Sequence, residues 1–190
     1  MTQPHASRPV RAVFLDRDGV LNRDAPGFVT APDGLHLLPR AGEAVARING
    51  AGLKAILVTN QSGVGRGIMT EGALDAVHER LTESLAEAGG YLDAILRCTH
   101  APWDGCECRK PRAGMLRAAE RELGIDLTAS YMIGDKPSDI ECGASVGCTT
   151  VLVLSGLETE YDRATFSVKP DSVCADVWDA VEWILAREAP

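Results

Sequence analysis

Several things are scarce in this 190-residue sequence, and each scarcity closes off a class of protein. No apolar run approaches the ~20 residues that a membrane-crossing helix requires. The opening stretch MTQPHASRPVR carries no apolar core of the kind that marks a secretory leader. Positive charge is short as well: 19 Lys and Arg stand against 27 Asp and Glu, for a net charge of −8. That balance works against nucleic acids and anionic membranes, because both are polyanions. A small phosphorylated ligand would also be repelled unless a local basic cluster met it. There is no internal repeat and no low-complexity stretch. At 45% hydrophobic and 24% charged residues, the composition is that of an ordinary folded soluble domain. The expectation is a cytoplasmic protein, and not a membrane protein, a secreted disulfide scaffold or a disordered chain. In a reducing compartment, six cysteines point to metal binding or burial rather than to disulfides.

Residues 1 to 9 read as a tail, and residues 10 to 190 as one domain, since a second core would be a tight fit in this length. Val10 to Leu15, Ala55 to Thr59, Ala94 to Arg97, Tyr131 to Gly134 and Thr150 to Leu154 are short apolar runs that predict buried strands. Between them lie segments with helical spacing. These are Pro39 to Ala51 closing at Gly52, a helix capped by Thr70 and ended by Gly89-Gly90, Gly114 to Leu123, Ser138 to Ala144, and a last helix capped by Asp176. Strands alternating with helices imply a parallel sheet covered on both faces. In such sheets ligands bind beyond the carboxyl ends of the strands. The polar groups there should share one rim: Asp16-Arg17-Asp18-Gly19, Thr59 to Gly63, the loop from Cys98 to Lys110, and Gly134-Asp135-Lys136.

Asp16 and Asp18 are two apart just past a buried strand, and in extended geometry they point the same way. A carboxylate nucleophile needs its charge masked, and a divalent metal does that while gripping phosphate oxygens. The second carboxylate can give a proton to the leaving oxygen and later take one from water. Asp135 is a natural further oxygen donor for Mg²⁺. Thr59 and Asn60 offer hydroxyl, amide and backbone N–H groups to phosphate oxygens, and Lys110 offers a point charge where charge builds up in phosphoryl transfer.

FLDRDGVLN, LVTNQSGVGRG, CRKP and MIGDKPSD together resemble the four ordered motifs of the haloacid-dehalogenase (HAD) superfamily phosphatases, over roughly Val13 to Asp139. The resemblance implies a HAD-like Rossmannoid fold, a three-layer α/β/α sandwich with a parallel sheet and no large cap domain. It implies Asp16 as the nucleophile that forms an aspartyl-phosphate and Asp18 as general acid/base, with Thr59 and Lys110 holding the phosphoryl group. Mg²⁺ would be held by Asp16, the Asp18 backbone carbonyl and Asp135, with Asp139 in the outer shell.

Cys98-Thr-His100 followed by Cys106-Glu-Cys108 is a complete Cys₃His set, which suits tetrahedral Zn²⁺ with no open position and hence a structural role. Zinc would brace the loop 98–108, which delivers Arg109-Lys110. Cys142, Cys148 and Cys174 show no ligand spacing and read as packing residues. Within the superfamily, a CxH…CxC loop before RKP resembles the subfamily of the D-glycero-D-manno-heptose-1,7-bisphosphate 7-phosphatases and the histidinol-phosphate phosphatases. TNQSGVGRG, Gly27-Phe28-Val29 and CRKPRAGML resemble the heptose branch, whereas the five-residue gap between His100 and Cys106 also occurs on the histidinol side. Ala113 stands where the heptose branch usually has Pro. Residue by residue, the heptose branch's substrate contacts fall on Asp24 to Gly27, Asn60, Gln61 and Ser62 beside Thr59, Arg109 and Lys136.

The spacings from Asp16 to Thr59 and from Thr59 to Lys110 leave no room for a folded cap, so loops should shape the site. Arg66, Arg109 and Arg112 are available to the second phosphate of a bisphosphate. Asp24, Asp33, Asp104 and Glu107 could meet the cationic groups of histidinol phosphate. His36 and His78 are isolated, and both read as structural or surface residues, as does His5. Trp178 and Trp183 read as core or a dimer contact. The leading expectation is a Mg²⁺-dependent sugar-phosphate phosphatase with a structural zinc, removing the 7-phosphate of heptose 1,7-bisphosphate. Its partners would be a small phosphorylated sugar, with no nucleic acid and no membrane, in a monomer or weak homodimer. Histidinol-phosphate phosphatase, a polynucleotide 3′-phosphatase and a phospho-accepting receiver domain stay open as alternatives.

Overall fold

The computed structural model describes residues 9–24, 27–157 and 159–188, so most of the N-terminal segment read as a tail, including His5, lies outside the described residues. Six strands form one parallel sheet: β1 (Ala12–Leu15), β2 (Lys54–Asn60), β3 (Ala94–Cys98), β4 (Tyr131–Gly134), β5 (Thr149–Val153) and β6 (Ser172–Cys174). Their order is β3-β2-β1-β4-β5-β6, and every neighbouring pair is parallel. Five helices connect and close them: α1 (Ala41–Gly50), α2 (Glu71–Glu87), α3 (Gly114–Leu123), α4 (Pro137–Ala144) and α5 (Val177–Glu188).

The alternation of side chains along each strand sorts the core into two layers. Val13 and Leu15 of β1 face the layer that α1, α2 and α5 cover with Val45, Leu81 and Val181. Ala12 and Phe14 face the other way, onto Leu116 and Ala119 of α3 and Cys142 of α4. Both faces are buried, and so the strands are runs of apolar residues rather than alternating ones. The result is a three-layer α/β/α sandwich with no inserted cap among the described residues.

Most boundaries fall where the local chemistry predicts. The Thr70 hydroxyl accepts from Ala73 N at 3.1 Å and starts α2, and the Asp176 carboxylate accepts from Asp179 N at 3.0 Å and starts α5. Gly52, at φ 74°, lets the chain leave α1. Other boundaries differ. Val10 lies outside β1 and makes one isolated bridge with Ile125. Helix α1 starts at Ala41, because Arg40 turns into the left-handed region at φ 61°. Strand β6, Ser-Val-Cys, is not anticipated by any apolar run, and it forms because its backbone completes the ladder with β5. Cys142 and Cys148 are buried and Cys174 packs beside the core, as packing residues should. Trp178 and Trp183 pack against the core, and Trp178 carries the Arg40 guanidinium 3.3 Å above its ring.

Candidate active site

Parallel pairing lines up the carboxyl ends of β3, β2, β1 and β4, and these ends carry Cys98, Thr59-Asn60, Asp16 and Asp135 in that spatial order. Asp16 continues β1 into the rim, with its N–H donating to Ile133 O at 3.1 Å. One carboxylate oxygen each from Asp16, Asp135 and Asp139 lies within 4.8 Å of the others, and all three residues are buried. Lys110, 3% exposed, reaches into this group. Its Nζ stands 2.9 Å from Asp16 Oδ1 and 2.6 Å from Asp139 Oδ1, and donates to Val58 O at 2.8 Å.

Three buried carboxylates against one buried ammonium leave excess negative charge. Burial raises the Asp16 carboxyl above its ordinary range; Lys110 pulls it down, and Asp139 and Asp18 push it up again. Burial, with Asp16 beside it, pushes Asp135 up to about 8 against the pull of Lys136. Lys110 is driven upward despite its burial, because Asp139 and Asp16 favour its charged form. Asp135 Oδ1 is buried and has no hydrogen-bond partner among the described residues. Asp135 is also wedged in place: a Cβ on Gly19 (φ 84°) would lie 2.4 Å from its Oδ2, and one on Gly156 2.2 Å from the same atom. Hard oxygens, surplus negative charge and an unsatisfied carboxylate oxygen fit a small divalent cation.

Asp18 lines the same rim cavity as Asp16, a space of about 310 Å³ shared with Thr59, Asn60, Arg109 and Lys136. Its carboxylate is heavily bonded. Arg17 Nε donates to Oδ1 at 3.1 Å and Arg17 Nη2 to both oxygens at 3.0 Å. Asn22 Nδ2 and Gln61 Nε2 each donate at 2.9 Å. Burial alone would raise Asp18, but the Arg17 guanidinium and the amides of Asn22 and Gln61 outweigh it and hold the carboxyl below its usual value. Gln61 also donates to Thr59 Oγ1 at 2.8 Å, which fixes the hydroxyl of a residue that lines the same cavity as Asp16.

A second cavity of about 140 Å³ adjoins the first and is lined by Asp18, Asp24, Gly27, Asn60, Gln61 and Lys136. Asp24 and Lys136 pair at 2.9 Å across it. Arg109 faces the rim cavity and also a space of about 320 Å³ beside the cysteine loop, with its Nη1 buried and unpartnered among the described residues. Ser62 is buried and lines neither rim cavity. Asn60 differs from expectation in its bonding. Its amide donates to Lys110 O and accepts from Lys110 N, both at 3.1 Å, so the side chain clamps the lysine segment onto β2 while it borders both rim cavities. Ala25 and Pro26, between Asp24 and Gly27, lie outside the described residues.

The cysteine loop brings its four ligand atoms together. Cys98 Sγ is 3.6 Å from both His100 Nδ1 and Cys106 Sγ, and Cys108 Sγ is 3.3 Å from His100 Nδ1 and 3.5 Å from Cys106 Sγ. Tetrahedral ligands at Zn²⁺ distances stand about 3.6 to 3.8 Å apart, so the donor set fits that ion. Gly65 packs against this loop: its N–H donates to Thr99 O at 2.8 Å, and a Cβ there would lie 2.5 Å from Ala101 N. Trp103 at the loop tip is 72% exposed, with the Arg66 guanidinium 5.4 Å from its ring.

Two participants, Asn22 and His78, carry no sequence signal for their place here, and Arg17, expected among the rim groups, spends its guanidinium on Asp18 and His78. Arg17 is 1% exposed and His78 5%, and the His78 Nε2 lies 3.5 Å from Arg17 Nη1. Burial, together with the Arg17 and Arg97 cations, pushes His78 down to about 4, against the weaker pull of Asp18 and Asp75. Because the folded protein resists protonating His78, the unfolded chain takes up the proton first as pH falls. Stability from this residue is full above about 6.5 and drains away as pH falls toward 4, by up to about 3 kcal/mol. Urea unfolding at pH 7 and pH 5 should therefore show a smaller loss for His78→Gln than for the wild type; equal losses would refute this assignment.

This topology and this order of strand-end groups define a phosphatase of the haloacid-dehalogenase type. A HAD-hydrolase-like family model matches residues 107–180. The chain is 42% identical to the D-glycero-beta-D-manno-heptose-1,7-bisphosphate 7-phosphatase of Bordetella bronchiseptica over 147 residues, 77% of this chain and 82% of that one. It is 40% identical to the D-glycero-D-manno-heptose-1,7-bisphosphate 7-phosphatase of Thermosynechococcus vestitus, over 96% of this chain and 99% of that one. The crystal structure of the B. bronchiseptica D,D-heptose 1,7-bisphosphate phosphatase, complexed with magnesium and phosphate, superposes with a TM-score of 0.88. That match has 38% identity and covers 95% of this chain and all of the other. The chain belongs to the haloacid-dehalogenase-like hydrolases, in the family of the heptose-1,7-bisphosphate 7-phosphatases, and is a phosphoric monoester hydrolase.

Proposed function

We propose that the protein removes the 7-phosphate of D-glycero-D-manno-heptose 1,7-bisphosphate through an aspartyl-phosphate at Asp16. The observation that carries this reading is the convergence of Asp16, Lys110, Thr59 and Asp139 on one rim cavity, with Asp135 gathered against Asp16 and Asp139, in a chain about 40% identical to phosphatases of that name. Asp16, Asp135 and the Asp18 backbone carbonyl would hold Mg²⁺, with Asp139 beside them; the ion would mask the carboxylate charge and grip phosphate oxygens. Asp16 Oδ attacks phosphorus in line with the departing sugar oxygen. The Lys110 ammonium, already against Asp16, and the Thr59 hydroxyl hold the equatorial oxygens. Arg109 reaches the same cavity with an unspent guanidinium nitrogen. Asp18, held ionised in the free protein, is lifted toward its acid form when a phosphate dianion arrives beside it. It then protonates the leaving oxygen and afterwards takes a proton from the water that cleaves the aspartyl-phosphate.

The charge pattern favours a bisphosphate over histidinol phosphate. A cationic substrate needs free carboxylates near the site. Asp24 is already paired with Lys136, and Asp104 caps the loop by accepting from Ala101 N at 2.8 Å. Comparing kcat/KM for both anomers of heptose 1,7-bisphosphate with that for histidinol phosphate should show a preference of at least about 10²-fold for the heptose. Higher efficiency on histidinol phosphate would overturn the assignment.

Zn²⁺ bound by Cys98, His100, Cys106 and Cys108 would act structurally, holding the loop that ends at Arg109 and Lys110. Elemental analysis in reducing buffer should find about one zinc per chain. Stripping it should cost phosphatase activity while Mg²⁺ binding at Asp16 and Asp135 changes less. The same reading makes the protein a single-domain cytoplasmic enzyme, working as a monomer or weak homodimer on a small sugar phosphate. Its net charge of −8 and its small rim cavities support that reading over a polynucleotide substrate.

A further inference from the structure

Arg17 stands between the two reactive aspartates in the chain and borders the smaller rim cavity, yet it is only 1% exposed and its guanidinium is spent inside the protein. All three of its guanidinium nitrogens are engaged: Nε and Nη2 on the Asp18 carboxylate, Nη1 toward His78. Burying a guanidinium this completely costs several kcal/mol, and the planar fork recovers it by fixing the plane of the carboxylate it faces. His78 comes from the middle of α2, outside the strand-end rim, and its imidazole is the partner of the nitrogen that points away from Asp18. We propose that Arg17, braced from behind by His78, is the positioning residue that orients the Asp18 carboxylate for proton exchange with the leaving oxygen and the attacking water. The proposal rests on the acid/base reading of Asp18 given above.

The brace works because His78 is neutral. A neutral imidazole accepts from Arg17 Nη1, whereas an imidazolium would repel it, and burial between Arg17 and Arg97 keeps the ring uncharged at working pH. Without the acceptor, Nη1 is left buried and unpaired, the fork tilts, and Asp18 loses its fixed plane. The damage falls on one kind of step. When the Asp16–phosphorus bond forms and the phosphorus–oxygen ester bond breaks, an alkoxide leaving group must take the proton of Asp18. A nitrophenolate leaves with the bonding electrons and needs no proton.

Single-turnover cleavage of a sugar phosphate and of p-nitrophenyl phosphate, in saturating Mg²⁺, separates this role from general destabilisation. His78→Leu should slow sugar-phosphate cleavage about 10- to 100-fold, with KM within twofold of wild type and p-nitrophenol release within about threefold. His78→Gln offers a carbonyl acceptor to Arg17 and should recover most of the loss. The inference is overturned if His78→Leu stays within twofold on the sugar phosphate, if both substrates slow equally, or if Gln recovers nothing. Should His78→Leu fail to fold, Arg17→Lys, which keeps the charge without the fork, must show the same split. Asp18→Asn is the control. If it too lacks the split, the acid/base reading falls along with the inference; if it shows the split and the His78 and Arg17 variants do not, only the positioning role falls.

Discussion

Asp16→Asn should abolish turnover, with a loss on the order of 10⁴- to 10⁶-fold in kcat, the scale seen when a covalent nucleophile is removed. An amide is a far weaker nucleophile than a carboxylate and a poorer ligand for a hard cation. The fold should survive, because the amide oxygen can still accept from Arg17 N, which stands 2.8 Å from Asp16 Oδ1. In metal-free buffer the variant should be at least as stable as the wild type. Asp16 is one of three buried carboxylates facing one buried lysine, and neutralising it removes a repulsion that burial makes expensive. Adding Mg²⁺ should then raise the melting temperature of the wild type more than that of the variant. Residual turnover above about 1%, or a variant markedly less stable without metal, would contradict the role given to Asp16.

Lys110→Met carries the second largest effect, and it strikes stability as well as chemistry. Lys110 Nζ is the cation shared by Asp16 and Asp139 and also satisfies Val58 O. Removing one partner of a buried ion pair typically costs about 3 to 5 kcal/mol, because the other charge stays buried. Here two carboxylates and a carbonyl would be stranded. Urea unfolding in EDTA should show that loss, and Mg²⁺ should restore part of it by supplying positive charge to the same group. Turnover should not return with stability, since no group is left at that point to meet the charge on the transferring phosphoryl oxygens. Recovery of full kcat with Mg²⁺ would show that Lys110 serves only the fold.

The sheet was legible because strands buried on both faces spell continuous apolar runs, as in VRAVFL, AILVT, YMIG and TVLVL. Strand β6 was not, because Ser-Val-Cys contributes backbone pairing to an edge and little apolar burial. The rim followed from topology: Asp16, Thr59 and Asp135 each end a readable strand, so parallel pairing had to bring them together. The cluster of Cys98, His100, Cys106 and Cys108 was legible because all four lie within eleven residues. The brace behind Asp18 was not. Arg17 and His78 are 61 residues apart, and only the packing of α2 on the sheet makes them neighbours. Asn60 was readable as a polar group at a strand end, but its clamp on the Lys110 backbone depends on where a distant loop returns. Charge and spacing reveal which groups gather; they do not say which hydrogen bonds each one has already spent.

The place of β1 in the sheet has a bearing on how the molecule comes apart. It lies between β2 and β4, with β3 and the three-residue β6 at the two edges. Amide hydrogen exchange should be slowest along Ala12–Leu15 and its neighbours and fastest at β6, because edges open in small fluctuations while the centre waits for global unfolding. Asp16, Thr59 and Asp135 hang from the three adjoining central strands. A molecule that has frayed at β6 still holds these three groups in register. Lys110 and the cysteine loop follow the edge strand β3, so their order can be lost while the carboxylates keep theirs. Mild denaturant should accordingly silence the enzyme before it releases the central amides, with the lysine loop letting go first.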